Sequence, residues 1–573
     1  MALVRLMQGI FLGVCFLLVA NSKKQLLPSQ EDDGPNISWL ENTGTEVQVK
    51  GSWMKTRTNK TFASFQGIPY ATPPVGSKRF LRPEAVQYNK SLTTIDARGN
   101  FKTACPQPGA LHDTAMSEDC LYLNVHTFDV EVSLRPVMVF IHGGAFYSGD
   151  GTWGSFGPQY FLDQDVVVVT LNYRLGALGF LSLGSTVMPG NMGLWDQNTA
   201  LRWVQEHIGY FGGDPDHVTV FGESAGSWAL LYHLVSRQSD GLFQKMIGES
   251  GSPLSNTWGF ITPEQAATNG QIFAEKVGCQ VADLSCFQNL SLEVLLSLTR
   301  YLDDPTDHPA FITGNPWNGV VDLELTDDPF LADSPLNILK TGDFNKDIEV
   351  ILGANQDEGL LDTVVLYLYP ELYGAMSSAW GHYGPLSVLG RTGLGDISQA
   401  DIEISTEILE FYTDSADNLS DKDFEALTDM KTDATFWHGI DQTVSLLAGH
   451  GVPVYQYIFS YRGEHSFIDA YGVEPGLFGV CHADELFYLF DPLYHLDLED
   501  LPSSDRSIRE LLVSSWTSFA KYGDPSPPGS GIYWTPVTVD SRLYLNISDT
   551  DPVMERSQDY DNRMHFWSTV MGD

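Results

Sequence analysis

Apolar residues over the first half of this chain gather into short unbroken runs separated by polar and glycine-rich turns. The clearest runs are 137–141 (VMVFI), 166–171 (VVVVTL), 218–221 (VTVF) and 245–247 (KMI), followed by candidates at 348–352 and 454–459. Runs such as VVVV, without polar alternation, predict strands buried on both faces of a mainly parallel sheet. Between them, 198–208 (NTALRWVQEHI) and 227–235 (SWALLYHLV) carry apolar positions at helical spacing. Strands alternating with helices predict an α/β fold. From about 290 to 440 a helical segment (290–301) gives way to Pro- and Asp-rich stretches, and this region is expected to supply insertions that cap a substrate pocket. No repeat, low-complexity tract or Pro/Ser-rich linker divides the chain, so a single domain is expected over 23–573, beginning with a loose acidic lead at 23–40.

The run 218–221 leads directly into Gly222-Glu223-Ser224-Ala225-Gly226, and a helical pattern follows. A Gly-x-Ser-x-Gly segment between strand and helix predicts a nucleophile elbow, in which flanking glycines allow close backbone approach around an exposed serine. A near copy, Gly248-Glu249-Ser250-Gly251-Ser252, lacks the closing glycine and runs into Pro253 with no helical pattern behind it. Its spacing instead fits the end of the next parallel strand of one β-α-β unit. Ser224 is therefore the candidate nucleophile.

Such a serine needs a base, a group to orient the base, and donors for an oxyanion. After the strand 137–141 comes His142-Gly143-Gly144-Ala145-Phe146, a turn that can present backbone N–H groups. The candidate donors are Gly144, Ala145 and, at the elbow, Ala225; His142 reads as a structural loop residue. Chain order for this architecture is serine, acid, histidine. Downstream, Glu358 lies on the glycine-flanked loop of GANQDEG (353–359), and His482 lies in GVCHADEL (479–486).

Composition narrows the setting. Against 32 basic residues stand 73 acidic ones, a net charge of −41 that repels phosphate backbones and anionic lipid. No nucleic-acid partner, stable membrane anchor, metal or cofactor is expected; a small-molecule partner is, on a monomer or weak homo-oligomer. Arg5, the apolar run Ile10–Ala20 and the small residues after it predict a signal peptide over 1–22 and a secreted, extracellular protein. Five cysteines follow that segment: Cys105 with Cys120 could close one loop and Cys279 with Cys286 another, leaving Cys481. Sequons at Asn36, Asn59, Asn89, Asn289, Asn418 and Asn546 fit glycosylation on that route.

Taken together, FQGIPYATPPVGSKRF (65–80), SEDCLYLNV (117–125), VFIHGGAFYSG (139–149), LNYRLGALGFLS (171–182) and the long segment 190–226 resemble the type-B carboxylesterase and cholinesterase family of α/β-hydrolases. GANQDEG and GVCHADEL extend the resemblance over nearly the whole chain from about Val47, in the manner of invertebrate secreted carboxylesterases. It implies a three-layer α/β-hydrolase fold with a helical cap over an active-site gorge, and a serine esterase that forms an acyl-enzyme. Carried over residue by residue, it implies Ser224 as nucleophile, His482 as general base and acid, Glu358 as its orienting carboxylate, and Gly144, Ala145 and Ala225 as the oxyanion hole. It further implies Ser250 as a supporting serine around the histidine, Glu223 as the acid beside the nucleophile, ion pairs Arg79–Glu118 and Arg174–Asp196, and the disulfides Cys105–Cys120 and Cys279–Cys286.

Departures from the pattern restrict the substrate. Cholinesterases place a tryptophan in the first disulfide loop as a cation–π platform; here that loop reads PQPGALHDTAMSED, without an aromatic residue. Juvenile hormone esterases usually carry glutamine before the nucleophile, where this chain has Glu223. Juvenile-hormone-esterase-like and lipase-like activities stay open as alternatives, as does a non-catalytic adhesion protein on the same fold.

Overall fold

The computed structural model describes residues 34–42, 44–88, 92–99, 103–108, 115–128, 134–298, 316–391, 397–413, 419–494, 498 and 501–572. The expected signal peptide and the sequons Asn89 and Asn418 lie outside the described residues. The strands are β1 (Asn36–Leu40), β2 (Glu46–Lys50), β3 (Ser52–Lys55), β4 (Thr61–Pro69), β5 (Leu92–Asp96), β6 (Tyr122–Thr127), β7 (Arg135–Ile141), β8 (Val167–Leu171), β9 (Gly213–Glu223), β10 (Lys245–Glu249), β11 (Glu349–Asn355), β12 (Val454–Phe459), β13 (Tyr544–Ile547) and β14 (Val553–Glu555). An 11-stranded sheet runs β14-β13-β12-β11-β10-β9-β7-β8-β6-β4-β3, and β1, β2 and β5 form a small separate sheet. From β8 through β7, β9, β10, β11 and β12 to β13 the neighbours are parallel; the outer pairs are antiparallel.

The unbroken apolar runs follow from burial of both faces. Val137, Val139, Ile141, Val218, Val220, Met246, Val350 and Leu352 join one core, with the helix Ala225–Val235 packed into it. Alternate residues on the same strands (Met138, Phe140, Phe221, Ile247 and Ile351) join a second core under the helix Ser503–Tyr522, through Ile508, Leu512, Trp516 and Phe519. A strand with helices on both sides has no solvent face, so the period-two polar signal disappears. The result is a three-layer αβα arrangement with its catalytic candidates at the C-terminal ends of parallel strands.

Within the 290–440 region the described helices include Leu292–Ser297, Leu360–Leu368, Trp380–Leu389, Gln399–Tyr412 and Phe424–Thr432. Cys105–Cys120 is bonded at 2.06 Å and Cys279–Cys286 at 1.93 Å, while the Cys481 thiol is buried and free. Arg79 Nε donates to Glu118 Oε2 at 2.7 Å. Arg174 grips Asp196 with two guanidinium bonds of 2.8 and 2.7 Å, the pair being fully enclosed. No helix among the described residues is long and apolar enough to cross a membrane.

Candidate active site

Ser224 sits between the end of β9 and the helix Ala225–Val235 with φ 55° and ψ −126°, a left-handed conformation that costs energy for a residue with a Cβ. The surroundings hold it there. Its N–H donates to Glu249 O at 2.8 Å, and its carbonyl accepts from Trp228 N at 3.0 Å. Both motif glycines are required by one neighbour: a Cβ at Gly222 would come 2.6 Å from Ile141 O, and one at Gly226 would come 2.1 Å from the same atom. Strand β7 thus runs so close to the elbow that a side chain at either position would collide with it.

The turn after β7 rests on the same elbow. A Cβ at Gly143 would meet Glu223 O at 2.7 Å and Ser224 Cβ at 3.0 Å. Gly144, Ala145 and Phe146 then follow with φ of 96°, 51° and 60°, an unusual left-handed succession for two residues that carry side chains. Tyr173 Oη donates to His142 O at 2.8 Å and its ring stacks on the imidazole at 4.4 Å, bracing the turn. Burial lowers the His142 pKa to about 4, so this histidine is neutral and structural in its setting. Ala225 opens its helix, where the first N–H groups are not used by the helical ladder.

Glu358 follows β11 and is buried. Its Oε1 accepts from Asn355 N at 2.7 Å and from Ser250 Oγ at 2.5 Å, leaving Oε2 for His482 Nδ1 at 2.5 Å. Ser250 therefore steadies the carboxylate and reaches the histidine only through it. Its own φ of 57° and the bond from its N–H to Gly353 O (2.8 Å) turn the hydroxyl toward Glu358. The near copy of the elbow motif ends the strand beside the elbow, and Gly251 packs so close that a Cβ would lie 2.6 Å from Ser224 O.

The His482 loop is clamped by residues that motif reading passed over. Val480 N donates to Asp357 Oδ2 at 2.8 Å, Asp357 N to Val480 O at 3.0 Å, and Asn355 Nδ2 to Cys481 O at 2.7 Å. Asp484 accepts from Cys481 N, Phe467 N and Ser466 Oγ; burial nevertheless pushes its carboxyl up to about 7. Phe436 lies against the imidazole at 4.8 Å. Asn355, Asp357 and Asp484 all lie in the segments GANQDEG and GVCHADEL, so their closeness to Glu358 and His482 in sequence was the available signal.

His482 stands between two carboxylates. Opposite Glu358, its Nε2 lies 3.0 Å from Glu223 Oε1, an electrostatic contact not aligned as a hydrogen bond. Burial alone would lower the His482 pKa, but Glu358 and Glu223 outweigh it and carry it well above the ordinary value. Burial raises the Glu223 carboxyl as well, with the histidine pulling against it. Ser224 Oγ makes no side-chain hydrogen bond among the described residues; it lies one residue from the carboxylate that Nε2 faces.

Comparison with known proteins bears on the fold and the activity. A profile of the carboxylesterase family matches residues 42–567. A juvenile hormone esterase of Tribolium castaneum is 34% identical, covering 87% of this chain and 86% of its own. A carboxylic ester hydrolase of Bombus ignitus is 32% identical over 93% of this chain and 96% of its own, and an acetylcholinesterase of Bungarus fasciatus is 32% identical over 86% and 80%. The three-layer sheet is the α/β-hydrolase fold of that family, and this chain belongs to the carboxylesterase family and is a carboxylic ester hydrolase.

Proposed function

We propose that the chain cleaves carboxylic esters in two steps through an acyl-enzyme on Ser224. His482 Nε2 takes the hydroxyl proton as Ser224 Oγ attacks the ester carbonyl, and the oxyanion is held by the N–H groups of Gly144, Ala145 and Ala225. Collapse breaks the bond to the alcohol, which leaves with the proton from His482; water then attacks the acyl carbon as it gives a proton to His482, and collapse of this second intermediate breaks the acyl–Oγ bond, returns the proton from His482 to Ser224 Oγ and frees the acid. The observation that carries this reading is the 2.5 Å contact of His482 Nδ1 with Glu358 Oε2, which leaves Nε2 as the base and points it at the elbow. Nε2 lies against Glu223, the residue before Ser224.

Secretion after removal of residues 1–22 fits the two disulfides, which persist in oxidising compartments. Of the described sequons, Asn36, Asn59 and Asn289 are exposed, whereas Asn546 is half-buried and donates Nδ2 to Glu555 Oε1 at 2.7 Å. Glycans belong on the first three. The substrate is a small ester rather than a choline ester, given the loop of the first disulfide without an aromatic residue. A lipophilic ester is the narrower reading, supported by the similarity to the juvenile hormone esterase of Tribolium castaneum. The test is Ser224→Ala against Ser250→Ala on a chromogenic short-chain ester, with organophosphate labelling of Ser224. Normal turnover by Ser224→Ala overturns the mechanism. Rates across acyl chain lengths, with and without a terpenoid methyl ester, decide the substrate; a rate that falls steadily with chain length overturns the lipophilic reading.

A further inference from the structure

Buried indoles in this fold find acceptors. Nε1 of Trp380 donates to Ser405 O, that of Trp437 to Asn355 O, that of Trp516 to Glu249 Oε1, that of Trp534 to Gln456 O and that of Trp567 to Tyr412 Oη, at 2.7–3.2 Å. Trp228 breaks the pattern. It is 1% exposed, and its Nε1 has no hydrogen-bond partner among the described residues. A buried N–H left unpaired costs free energy that a supplied acceptor recovers.

This indole stands beside the candidate nucleophile. Trp228 is the fourth residue of the helix Ala225–Val235, and its backbone N–H donates to Ser224 O. The Cε3–Cζ3 edge of the ring packs on Gly251, where a Cβ would come 2.4 Å from Cε3. Nε1 is on the opposite long edge and points away from the end of β10. The ring continues an aromatic wall that begins at His482: Phe436 lies against the imidazole at 4.8 Å, Trp228 against Phe436 at 5.8 Å, and Trp258 against Trp228 at 6.1 Å. Trp258 is half-buried, so the wall runs from the site outward. Its parts are tied together. Thr257 Oγ1 donates to Thr435 Oγ1 at 2.9 Å and Asn256 N to Ala434 O at 3.2 Å, joining the Trp258 segment to the π-helical turn Asp433–Trp437 that carries Phe436. Turning the indole toward an acceptor in the protein would break this packing.

We propose that Trp228 is a specificity-determining residue, whose Nε1–H donates to an ether or carbonyl oxygen in the acyl group of the bound ester. The proposal rests on the mechanism given above and narrows its substrate class. In that mechanism the leaving oxygen takes its proton from His482 Nε2, on the Glu223 side of the imidazole. The acyl chain is then the part of the ester left to run along the aromatic wall. A purely alkyl chain matches the apolar surface but leaves the indole N–H dry and unpaired; one oxygen in the chain satisfies it. A site with a buried donor rejects the analogue that lacks the acceptor.

The test uses the full chain and p-nitrophenyl hexanoate beside its oxa and oxo analogues, in which an ether oxygen or a carbonyl replaces the CH2 at position 3, 4 or 5. For each analogue the kcat/KM ratio to the parent ester is measured in wild type and in Trp228→Phe, so that the intrinsic reactivity of the analogue cancels between the two proteins. For at least one analogue the wild-type ratio exceeds the variant ratio by about fivefold, the worth of one neutral hydrogen bond. Replacement of Trp228 by 3-benzothienylalanine, which has sulfur in place of the N–H on a ring of indole size, gives the same fall and keeps the test alive should Trp228→Phe misfold. Ratios that agree within about twofold for every analogue, or that rise in a folded variant, overturn the proposal. Calorimetric Kd values for the matching methyl ketones, which bind without being hydrolysed, show the same difference between wild type and variant. They read the donor whether or not Ser224 is the nucleophile, so failure of the hydrolytic mechanism, read from Ser224→Ala, is distinguished from failure here.

Discussion

His482 Nε2 lies 3.0 Å from Glu223 Oε1, so the imidazole faces the acid that precedes Ser224. A carboxylate there stabilises the imidazolium, which is the form that cannot act as base. Glu223→Gln removes that stabilisation and lowers the His482 pKa. Activity needs neutral His482, so the acid limb of kcat/KM moves to lower pH, by about one unit for the loss of one close charge. A pH–rate profile of the variant checks this; an unmoved or upward-shifted limb contradicts it.

The Ser250 hydroxyl donates to Glu358 at 2.5 Å in a fully buried setting. Bonds to charged groups contribute about 1.5–3 kcal/mol, and loss of this one loosens the carboxylate that aims His482. Ser250→Ala is expected to lose roughly 10–100-fold in kcat/KM, mainly in kcat. Ser224→Ala loses about 10⁴-fold or more. Steady-state kinetics of the two variants side by side tests whether Ser224 is the nucleophile and Ser250 its support.

Gly226→Ala places a methyl group 2.1 Å from Ile141 O, a backbone atom of a central strand that has no room to retreat. Overpacking of this kind costs about 1–3 kcal/mol or more. The elbow must shift to relieve it, so melting temperature and turnover fall together. A variant with normal melting and normal rate would show that the approach of β7 is softer than the geometry requires.

Arg174 and Asp196 form an enclosed pair, with Arg174 Nη1 also donating to Leu81 O at 2.7 Å. Asp196→Ala strands a buried guanidinium and is expected to cost about 3–5 kcal/mol, read from the urea midpoint. Replacing both partners with apolar residues, Arg174→Met with Asp196→Leu, restores most of that loss. The pair then counts as a specificity device whose charges are dispensable together and indispensable singly.

The core strands were legible because the sheet has helices on both faces: β8 and β10 are buried at every residue and β7 at all but Pro136, so no solvent face interrupts the apolar runs. The elbow was legible for a related reason. Gly222 and Gly226 answer one local demand, the passage of Ile141, and a motif records a local demand well. Glu358 and His482 stood out only through the segments around them, since acid and histidine come together across 124 positions of chain.

The sequence by itself determined the central strands, the strand-to-helix setting that separates Ser224 from Ser250, and the family; each depends on short-range pattern or on several segments read together. Only the tertiary structure decided that Ser250 bonds Glu358 and that His482 Nε2 faces Glu223. Those relationships depend on register between parallel strands, which crossover connections set at long range. A glutamate in the sequence carries no mark of its neighbours. Burial and register decide whether it is a solvated charge or an orienting carboxylate.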